Sequence, residues 1–376
     1  MGFQFNINRE DLLKSISLQQ NITNKKGALA ILGNVLLEVK SDHVVFTGTD
    51  LEIGLKQTVP AEVIEKGELT LPSKKLYELA RESGSTTISF IELENNWVEI
   101  TAGPSVYRLA GIVSDEFPQF PDYNESSMIQ ISSAIIADLV DKTFFSIAQD
   151  KENMFTLTAS LLQKVKENDV FYLKMISSDG HRLTIMSREV DNSIDSLKMK
   201  PITLIPRRGV QEIRRFCENK DTFLFGIEEK QAVLKNDDSL LVIRLMEGDF
   251  PDFKGLISVL SKDNSINIER NRFLESLKRI NLFTEDLFHA IKIEIIDNKM
   301  ILTSQNSDFG SAKDEFKVDY SGNPLSLGFN CRYFIESLQV MEGSFIKSNI
   351  KSQESPCIIT SEEDTGFLSI IMPMKL

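Results

Sequence analysis

The sequence predicts an α+β protein in which helices and antiparallel strands recur in three repeats of about 125 residues. Two observations carry this prediction. A tight turn that opens an alternating strand occurs three times, with starts 130 and 126 residues apart, at residues 47–55, 177–187 and 303–310. A helix start recurs at spacings of 134 and 123 residues, at Pro72, Pro206 and Phe329.

A third landmark supports the repeat. Residues 116–120 (Glu-Phe-Pro-Gln-Phe) and 249–253 (Asp-Phe-Pro-Asp-Phe) lie 133 positions apart, each where one repeat should pass into the next. We therefore predict three domains that pack directly on one another, with the boundaries 1–125, 126–257 and 258–376.

Alternation of apolar and polar residues predicts the strands, and a period of 3.6 residues predicts the helices. In the first repeat we expect strands at 3–7, 35–39, 44–47, 53–59, 87–91, 97–102 and 106–112, and helices at 9–20 and 73–81, the second capped by Ser73. In the second we expect strands at 128–131, 160–165, 171–177, 183–187, 222–227, 231–235 and 240–245, and helices at 134–147 and after Pro206. In the third we expect a helix at 272–282 and a last strand at 368–374.

Bulk composition is that of an ordinary soluble protein. The 376 residues are 41% hydrophobic and 26% charged, and no apolar run approaches the length of a membrane span. Three widely separated cysteines and the absence of an N-terminal signal-like segment predict reduced thiols in a cytoplasmic protein. A net charge of −13 argues against broad nucleic-acid binding, although the distribution of charge matters more than the sum.

Basic residues collect on predicted helices. On a helical wheel of the segment after Pro206, Val210, Ile213, Phe216 and Cys217 form an apolar stripe. The opposite face is almost purely cationic, with Glu212 at its margin, and carries Arg207, Arg208, Arg214 and Arg215. The third repeat places Arg270, Arg272, Lys278 and Arg279 against Glu275, and the first offers Lys74 and Arg81. An ordinary basic surface is the alternative for any one helix.

Two other features suggest contacts with partners. Leu282 and Phe283 fall outside the core stripe of their helix, which indicates either a second subunit or burial under a neighbouring loop. The chain ends with Met372, Pro373 and Met374, and methionines at a surface suit varied apolar partners. A terminal strand with its methionines in the core is the alternative.

Catalytic chemistry is not evident in the sequence. None of the three histidines has metal-ligand spacing, and no phosphate-binding loop or nucleophile elbow occurs, so we predict no metal and no cofactor. Asp179 and His181 could belong to a catalytic site, but no nucleophile is apparent, and a hydrogen-bonded turn is the preferred interpretation.

Taken together, these residues resemble one family over the whole chain, the bacterial sliding clamp, which is the beta subunit of the replicative DNA polymerase. The segments that carry the resemblance are 31–34, 47–52, 178–183, 206–210, 249–252, 328–330 and 372–376. The resemblance implies a head-to-tail homodimer whose six similar domains form a ring, with helices lining the hole and sheets outside. It implies a non-enzymatic processivity factor that encircles duplex DNA and slides along it without reading its sequence.

The resemblance also assigns residues. Lys26, Lys74, Arg207 and Arg208 match family positions near DNA, and the helix faces add Arg81, Arg214, Arg215, Arg272, Lys278 and Arg279. Tyr107 and Leu109 would meet Leu282 and Phe283 of a second subunit. A groove for short apolar peptides of the polymerase alpha subunit, the clamp loader, other polymerases and repair proteins would comprise Leu157, Ser178, Gly180, His181, Arg182, Leu183, Pro251, Leu256, Ile370, Met372, Pro373, Met374 and Lys375.

Some segments depart from the family pattern. Residues 153–156 lack the usual Arg and Tyr before the groove leucine, Ala30 replaces a proline, and the polar hairpin at 164–172 has no predicted role. A peptide-binding adaptor of the same architecture that does not encircle DNA is the alternative function.

Overall fold

The computed structural model describes residues 2–23, 29–149, 155–218, 220–253, 255, 257, 265–285, 287–320, 322–350, 352 and 354–375. The helices are α1 (Arg9–Thr23), α2 (Ser73–Glu82), α3 (Ser133–Asp141), α4 (Arg207–Phe216), α5 (Arg270–Asn281) and α6 (Cys331–Gln339). The strands are β1 (Gln4–Asn8), β2 (Asn34–Val39), β3 (His43–Thr49), β4 (Ile53–Pro60), β5 (Glu62–Glu65), β6 (Gly67–Pro72), β7 (Thr87–Glu92), β8 (Trp97–Ala102), β9 (Ser105–Ala110), β10 (Ile129–Ser132), β11 (Ala159–Glu167), β12 (Val170–Ser178), β13 (Arg182–Val190), β14 (Thr203–Pro206), β15 (Thr222–Ile227), β16 (Gln231–Lys235), β17 (Ser239–Arg244), β18 (Ser265–Glu269), β19 (Ala290–Ile296), β20 (Lys299–Asn306), β21 (Gly310–Lys317), β22 (Leu325–Asn330), β23 (Phe345–Asn349), β24 (Cys357–Thr360) and β25 (Phe367–Ile371).

The chain divides into two compact units. The first comprises Met1–Ser132, Ser196–Lys198 and Asn219–Arg244, and the second comprises Ser133–Asp195, Met199–Glu218 and Leu245–Leu376. The first unit holds a five-stranded sheet, β5-β1-β7-β8-β9, and an eight-stranded sheet, β10-β15-β16-β17-β4-β3-β2-β6. The second holds an eight-stranded sheet, β14-β11-β12-β13-β25-β24-β23-β18, and a four-stranded sheet, β21-β20-β19-β22. The three domain boundaries drawn from the sequence stay a prediction.

Strand order repeats three times within these sheets. One half-sheet has the order β6-β2-β3-β4, β14-β11-β12-β13 or β22-β19-β20-β21. The other has the order β1-β7-β8-β9, β10-β15-β16-β17 or β18-β23-β24-β25. Two half-sheets of successive repeats join by antiparallel pairing of β4 with β17, here called the first junction, and of β13 with β25, the second junction.

The recurring turn motif has one physical basis in all three repeats. The side-chain Oδ1 of Asp50 accepts the main-chain N–H groups of the residues two and three positions later, and so do those of Asp179 and Asn306, at 2.8–3.2 Å. An Asp or Asn side chain that closes a turn in this way lets the next strand begin at once. The turn-and-strand predictions are therefore confirmed.

The helix starts also follow from local chemistry. Pro72 and Pro206 occupy the N-cap positions of α2 and α4, where the missing N–H costs nothing. The predicted cap by Ser73 was wrong, because Ser73 is the first residue of α2 and its hydroxyl accepts a hydrogen bond from Thr23 instead. The third equivalent helix begins one residue after Asn330, whose side chain accepts the Arg332 N–H at 2.9 Å.

Several predicted boundaries were wrong. The helix expected at 134–147 ends at Asp141, because the chain turns at Thr143 and residues 144–146 form a short 3₁₀ turn. Helix α5 begins at Arg270 and ends at Asn281, which makes Leu282 its C-cap. The last strand ends at Ile371, since Pro373 cannot donate to a ladder.

A buried ion cluster lies where the residue after α3 meets the loop before β25. Lys142, 4% exposed, contacts Asp364, 2% exposed, with 3.0 Å between Nζ and Oδ1. Asp364 also accepts the main-chain N–H groups of Glu342 and Gly343. Burial raises the pKa of the Asp364 carboxyl, but these hydrogen bonds and Lys142 outweigh it and hold the pKa below its ordinary value. The ionised carboxylate therefore stabilises the fold.

We expect Asp364→Asn to lower the free energy of unfolding by about 1–3 kcal/mol near neutral pH, because it leaves the buried Lys142 without its nearest charge. Since the folded pKa is depressed, the stabilisation is present above the ordinary pKa of 3.8 and is lost as the pH falls through the lowered value. Urea unfolding at about pH 7 and about pH 3 measures both effects. The exposed Asp115→Asn is the control, and an unchanged difference between Asp364→Asn and wild type at the two pH values would contradict the prediction.

Candidate functional site

An apolar groove of about 260 Å³ lies on the second junction. Its lining comes from the β12–β13 turn, the two junction strands and the segment after β17: Leu157, Ser178, Gly180, Arg182, Leu183, Phe250, Pro251, Asp252, Phe253, Ile370 and Met372. A cleft of about 300 Å³ in the first unit is lined mainly by charged and polar side chains, among them Lys14, Gln57 and Lys220. Only the second-junction groove has the apolar walls that suit an apolar peptide.

Strand register builds the floor of the groove. Leu183 is the second residue of β13 and lies directly opposite Ile370 near the end of β25, and both are buried. Because residues paired across a ladder point to the same face, these two side chains form one apolar surface. Gly180 forms the rim with a φ of 86°, a conformation that glycine adopts without strain. The Ser178 hydroxyl accepts the Gly180 N–H at 3.1 Å and donates to the Arg182 carbonyl at 2.7 Å.

Most groove residues expected from the resemblance meet in this lining. They are Leu157, Ser178, Gly180, Arg182, Leu183, Pro251, Ile370 and Met372. His181, Pro373, Met374 and Lys375 do not line it, and Leu256 lies outside the described residues. That peptides bind to these residues stays a prediction.

Sequence reasoning missed two aromatic walls of the groove, Phe250 and Phe253. Their ring centroids lie 6.3 Å apart at 76°, and both rings pack against the apolar cluster that contains Leu183 and Ile370. The signal is the repeated Phe-Pro motif at 249–253, of which the resemblance assigns only Pro251 to the groove.

Arg182 is the buried centre of the groove's turn. Its Nε donates to Asp179 Oδ2 at 2.9 Å, its Nη1 to Glu336, and its Nη2 to the Phe145 carbonyl at 2.6 Å. The guanidinium also lies 4.4 Å from the ring centroid of Tyr333. With two carboxylates beside it, Arg182 supplies rigidity to the turn rather than a free positive charge.

The C-terminal segment borders the groove through main-chain bonds. Met372 donates its N–H to the His181 carbonyl and Met374 donates to the Gly328 carbonyl, each at 2.9 Å. The Met372 side chain is 38% exposed, so the alternative that placed this methionine in the core was wrong. Asp179 accepts the His181 main-chain N–H, which confirms the hydrogen-bonded turn.

The basic residues expected to contact DNA lie on helix surfaces, except that Lys26 falls outside the described residues. Lys74 and Arg81 on α2 are exposed, as are Lys278 and Arg279 on α5. Arg207, Arg208, Arg214, Arg215 and Arg272 are half-buried. The Arg207 guanidinium lies 4.3 Å from the Phe144 ring centroid and donates to the Ile147 carbonyl.

The interpretation of α4 as an almost purely cationic face was wrong. Arg214 Nε donates to Asp141 of α3 at 2.6 Å, which raises the pKa of the guanidinium, and Arg215 pairs with the buried Glu212. On α5, Arg279 Nε donates to Asp314 of β21 at 3.0 Å. The helical wheel counted only residues of its own helix, whereas these carboxylates come mostly from neighbouring elements.

An apolar patch lies near the end of α5. Leu282 is 74% exposed, so burial under a loop does not account for it, and Phe283 is half-buried. On the edge strand β9, Tyr107 is 40% exposed and Leu109 is half-buried.

The described part of the chain contains no cluster of three or more metal-binding side chains. Burial raises the pKa of the three free thiols, Cys217, Cys331 and Cys357, to about 12. Among the described residues, no helix is long and apolar enough to cross a membrane.

Arg182→Met should lower the free energy of unfolding by about 2–4 kcal/mol, because it leaves the carboxylates of Asp179 and Glu336 without their partner. Urea denaturation measures this loss. The neighbouring exposed His181→Ala is the control and should stay within about 0.5 kcal/mol of wild type. Equal stability of the Arg182 variant and wild type would show that the cluster is not structural.

Comparisons with known proteins agree over the length of the chain. Family models described as the N-terminal, central and C-terminal domains of the DNA polymerase III beta subunit match residues 3–121, 130–252 and 260–375. A beta sliding clamp from Chlamydia pneumoniae is 27% identical over 373 residues, which cover 99% of each chain.

Two solved structures show the same fold. The DNA polymerase III subunit beta from Pseudomonas aeruginosa has a TM-score of 0.89 at 25% identity and covers 99% of this chain and 100% of that one. A DnaN sliding clamp from Bartonella birtlesii bound to griselimycin has a TM-score of 0.92 at 23% identity and covers 100% of both chains. The predicted α+β fold of three clamp domains is thereby confirmed. The chain belongs to the DNA polymerase III beta subunit family, the non-catalytic sliding clamps of DNA replication.

Proposed function

We propose that two copies of this chain join head to tail into a ring that encircles duplex DNA and tethers replication proteins through the groove. The observation that carries the proposal is a pair of unmatched strand edges. At both junctions the strand that ends one half-sheet pairs with the strand that ends another, β4 with β17 and β13 with β25. The remaining strand of each kind, β21 and β9, lies at a sheet edge.

Pairing of β21 with β9 of a second copy would satisfy both edges. An exposed edge presents unpaired N–H and C=O groups and invites another strand. Because β21 and β9 end different types of half-sheet, β21 of each copy would pair with β9 of the other copy. Two copies then close on themselves with two identical new junctions.

The internal junctions also supply the register of the new one. Isolated bridges place Ile112, Met246 and Met374 at one equivalent position, opposite Thr70, Leu204 and Gly328. Three residues earlier stand Leu109, Ile243 and Ile371. In the two internal junctions, Ile243 lies opposite Ile53 and Ile371 lies opposite Arg182.

On β21, Gly310 is equivalent to Ile53 of β4 and Arg182 of β13. Each of these three residues is the first after its turn to pair with the preceding strand. The third turn is one residue longer than the others, and the extra residue is Phe309. Leu109 should therefore face Gly310, Tyr107 should face Ala312, and Val106 should face Lys313 of the partner copy.

Side chains at this proposed junction fit one another. Tyr107 pairs with the core residue Ile100 and so points to the helix side of its sheet. Ala312 pairs with Ser304, which bonds to the Ile280 carbonyl of α5. The small Gly310 and Ala312 would leave room beside α5 for Tyr107 and Leu109 to meet Leu282 and Phe283.

The basic helix faces support contact with DNA in an otherwise acidic protein. Lys74, Arg81, Arg207, Arg208, Arg214, Arg215, Arg272, Lys278, Arg279 and Lys26 form the proposed set. Arg214 and Arg279 are already paired with carboxylates, which would reduce their attraction for phosphate. Weak, exchangeable phosphate contacts suit a ring that is retained by topology and must slide.

The groove supports the tethering role. Its apolar floor, aromatic walls and rigid Arg182 turn match the features of a peptide-binding site. We propose that it takes short apolar peptides of the polymerase alpha subunit, the clamp loader, other polymerases and repair proteins. Buried reduced thiols are compatible with a cytoplasmic location, which we include in the proposal.

Retention on DNA tests the whole proposal. The protein is loaded onto circular plasmid with its clamp loader and ATP, separated by gel filtration, and examined before and after a single restriction cut. We expect retention on the circle and loss after the cut, because a ring leaves only through an end. Equal retention on both forms would indicate ordinary binding, and absence from the circle would favour the adaptor that does not encircle DNA.

Leu282→Ala combined with Phe283→Ala should weaken subunit association. Truncation of one buried apolar anchor costs about 2 kcal/mol, so the loss of two costs about 4 kcal/mol and should raise the dimer Kd by more than about 100-fold. Sedimentation velocity over a range of concentrations measures the change. Ile64→Ala, an exposed residue of the opposite edge strand β5, should leave the dimer intact. An unaltered dimer in the double variant would refute the interface assignment.

Deletion of residues 372–376 should abolish peptide binding and preserve the dimer, because it removes the Met372 wall without touching β9 or β21. Titration of a fluorescent apolar peptide from the cognate polymerase measures binding. Lys375→Ala, outside the lining, should bind normally. Undiminished affinity in the truncated protein would exclude the groove as the peptide site.

A further inference from the structure

The two internal junctions allow a comparison of the same surface in two copies. In the second junction Leu183 lies opposite Ile370, and the groove lies over this pair. Gly54 is the second residue of β4 and Leu183 is the second residue of β13, so the two residues hold equivalent positions after equivalent turns. In the first junction, Gly54 lies opposite Val242 of β17. The first junction therefore has the same backbone platform as the groove.

An aromatic side chain of the chain itself occupies this platform. A Cβ placed on Gly54 would lie 2.8 Å from Cε2 of Phe120 and 3.3 Å from its Cζ, so the ring rests directly on the glycine backbone. The Nζ of Lys56 lies 4.5 Å from the centroid of the same ring. Phe120 is half-buried there. Only glycine permits this approach, since any side chain would displace the ring.

The segment that carries Phe120 is the counterpart of the one that walls the groove. Residues 116–120 and 249–253 share the Phe-Pro motif 133 positions apart, which aligns Phe120 with Phe253. At the second junction Leu183 stands where Gly54 stands at the first. The groove is thus open at the second junction, where Leu183 lies near Phe253, and filled at the first, where Gly54 lies beneath Phe120.

The turn beside the platform keeps the geometry of the groove rim. Leu51 holds the position of Gly180 and has the same left-handed conformation, with φ of 73° against 86°. A leucine in this region is strained, and its side chain is 55% exposed. The first junction therefore retains the rim's backbone shape with a residue that does not favour it.

We infer that the first junction carries a second copy of the peptide groove, closed by the chain's own Phe120 acting as a tethered ligand. Removal of that ring opens a site for a short peptide with an aromatic side chain. The inference extends the proposed function, because it takes the second-junction groove to be a peptide site. It also explains why, in the part of the chain that the structure describes, the groove is open at the second junction and filled at the first.

The probe for this site is the chain's own segment. A synthetic peptide of residues 116–123 carries photoreactive benzoylphenylalanine in place of Phe120 and is irradiated with full-length protein. In Phe120→Ala we expect labelling of β4 or β17, mapped by mass spectrometry, and in wild type at the same peptide concentration at least tenfold less. Phe120→Leu, which keeps an apolar plug, should behave as wild type. No labelling of these strands in Phe120→Ala, or equal labelling of wild type, would overturn the inference.

A second variant tests the glycine platform directly. Gly54→Ala combined with Phe120→Ala places a methyl group where the ring of the probe would rest, so labelling of β4 and β17 should fall to the wild-type level. Undiminished labelling in this double variant would count against the inference, because the probe would then not occupy the platform. Deletion of residues 372–376 tests the second-junction groove separately and leaves Gly54 and Phe120 unchanged. Failure of one site is therefore distinguishable from failure of the other.

Discussion

Main-chain hydrogen bonding at strand edges is the constraint on which the rest of the structure depends. Each repeat builds two half-sheets, and each half-sheet ends in a strand whose N–H and C=O groups need partners. Pairing of β4 with β17 and of β13 with β25 satisfies four such edges and creates two continuous eight-stranded sheets. The same rule leaves β9 and β21 each with a neighbouring strand on one side only, which is the physical reason to expect a second copy.

The junctions share a backbone frame and differ in what covers it. At the second, an apolar floor and a turn rigidified by Arg182 leave a groove. At the first, the exchange of leucine for glycine lets Phe120 settle onto the sheet. Function therefore depends on a few side chains placed on a repeated scaffold rather than on the scaffold itself.

Features governed by local chemistry could be predicted from the sequence. The Asp50 and Asp179 turns, the proline helix starts and the alternating strands depend on residues close together in the chain, and the structure agrees closely with them. Most groove residues came from the resemblance instead, since residues 157, 183 and 370 meet only after the sheets form.

What could not be predicted depends on contacts distant in sequence. Asp141 and Asp314 neutralise arginines of other elements, so the charge of a helix face was overestimated from its own residues. The end of α3 at Asp141 and the role of Phe253 as a groove wall likewise depend on tertiary packing, which local patterns do not encode.

Disulfide trapping across the proposed junction tests the central claim of edge pairing most directly. Val106→Cys and Lys313→Cys in one chain would place two cysteines directly opposite each other on neighbouring copies, within the Cα separation that a disulfide spans. Mild oxidation should give a covalent dimer on a denaturing gel, with no interference from the three buried native thiols. Val106→Cys with Ala312→Cys, one residue out of register and on the opposite face, should stay monomeric on that gel. Equal cross-linking of both pairs, or of neither, would contradict the account.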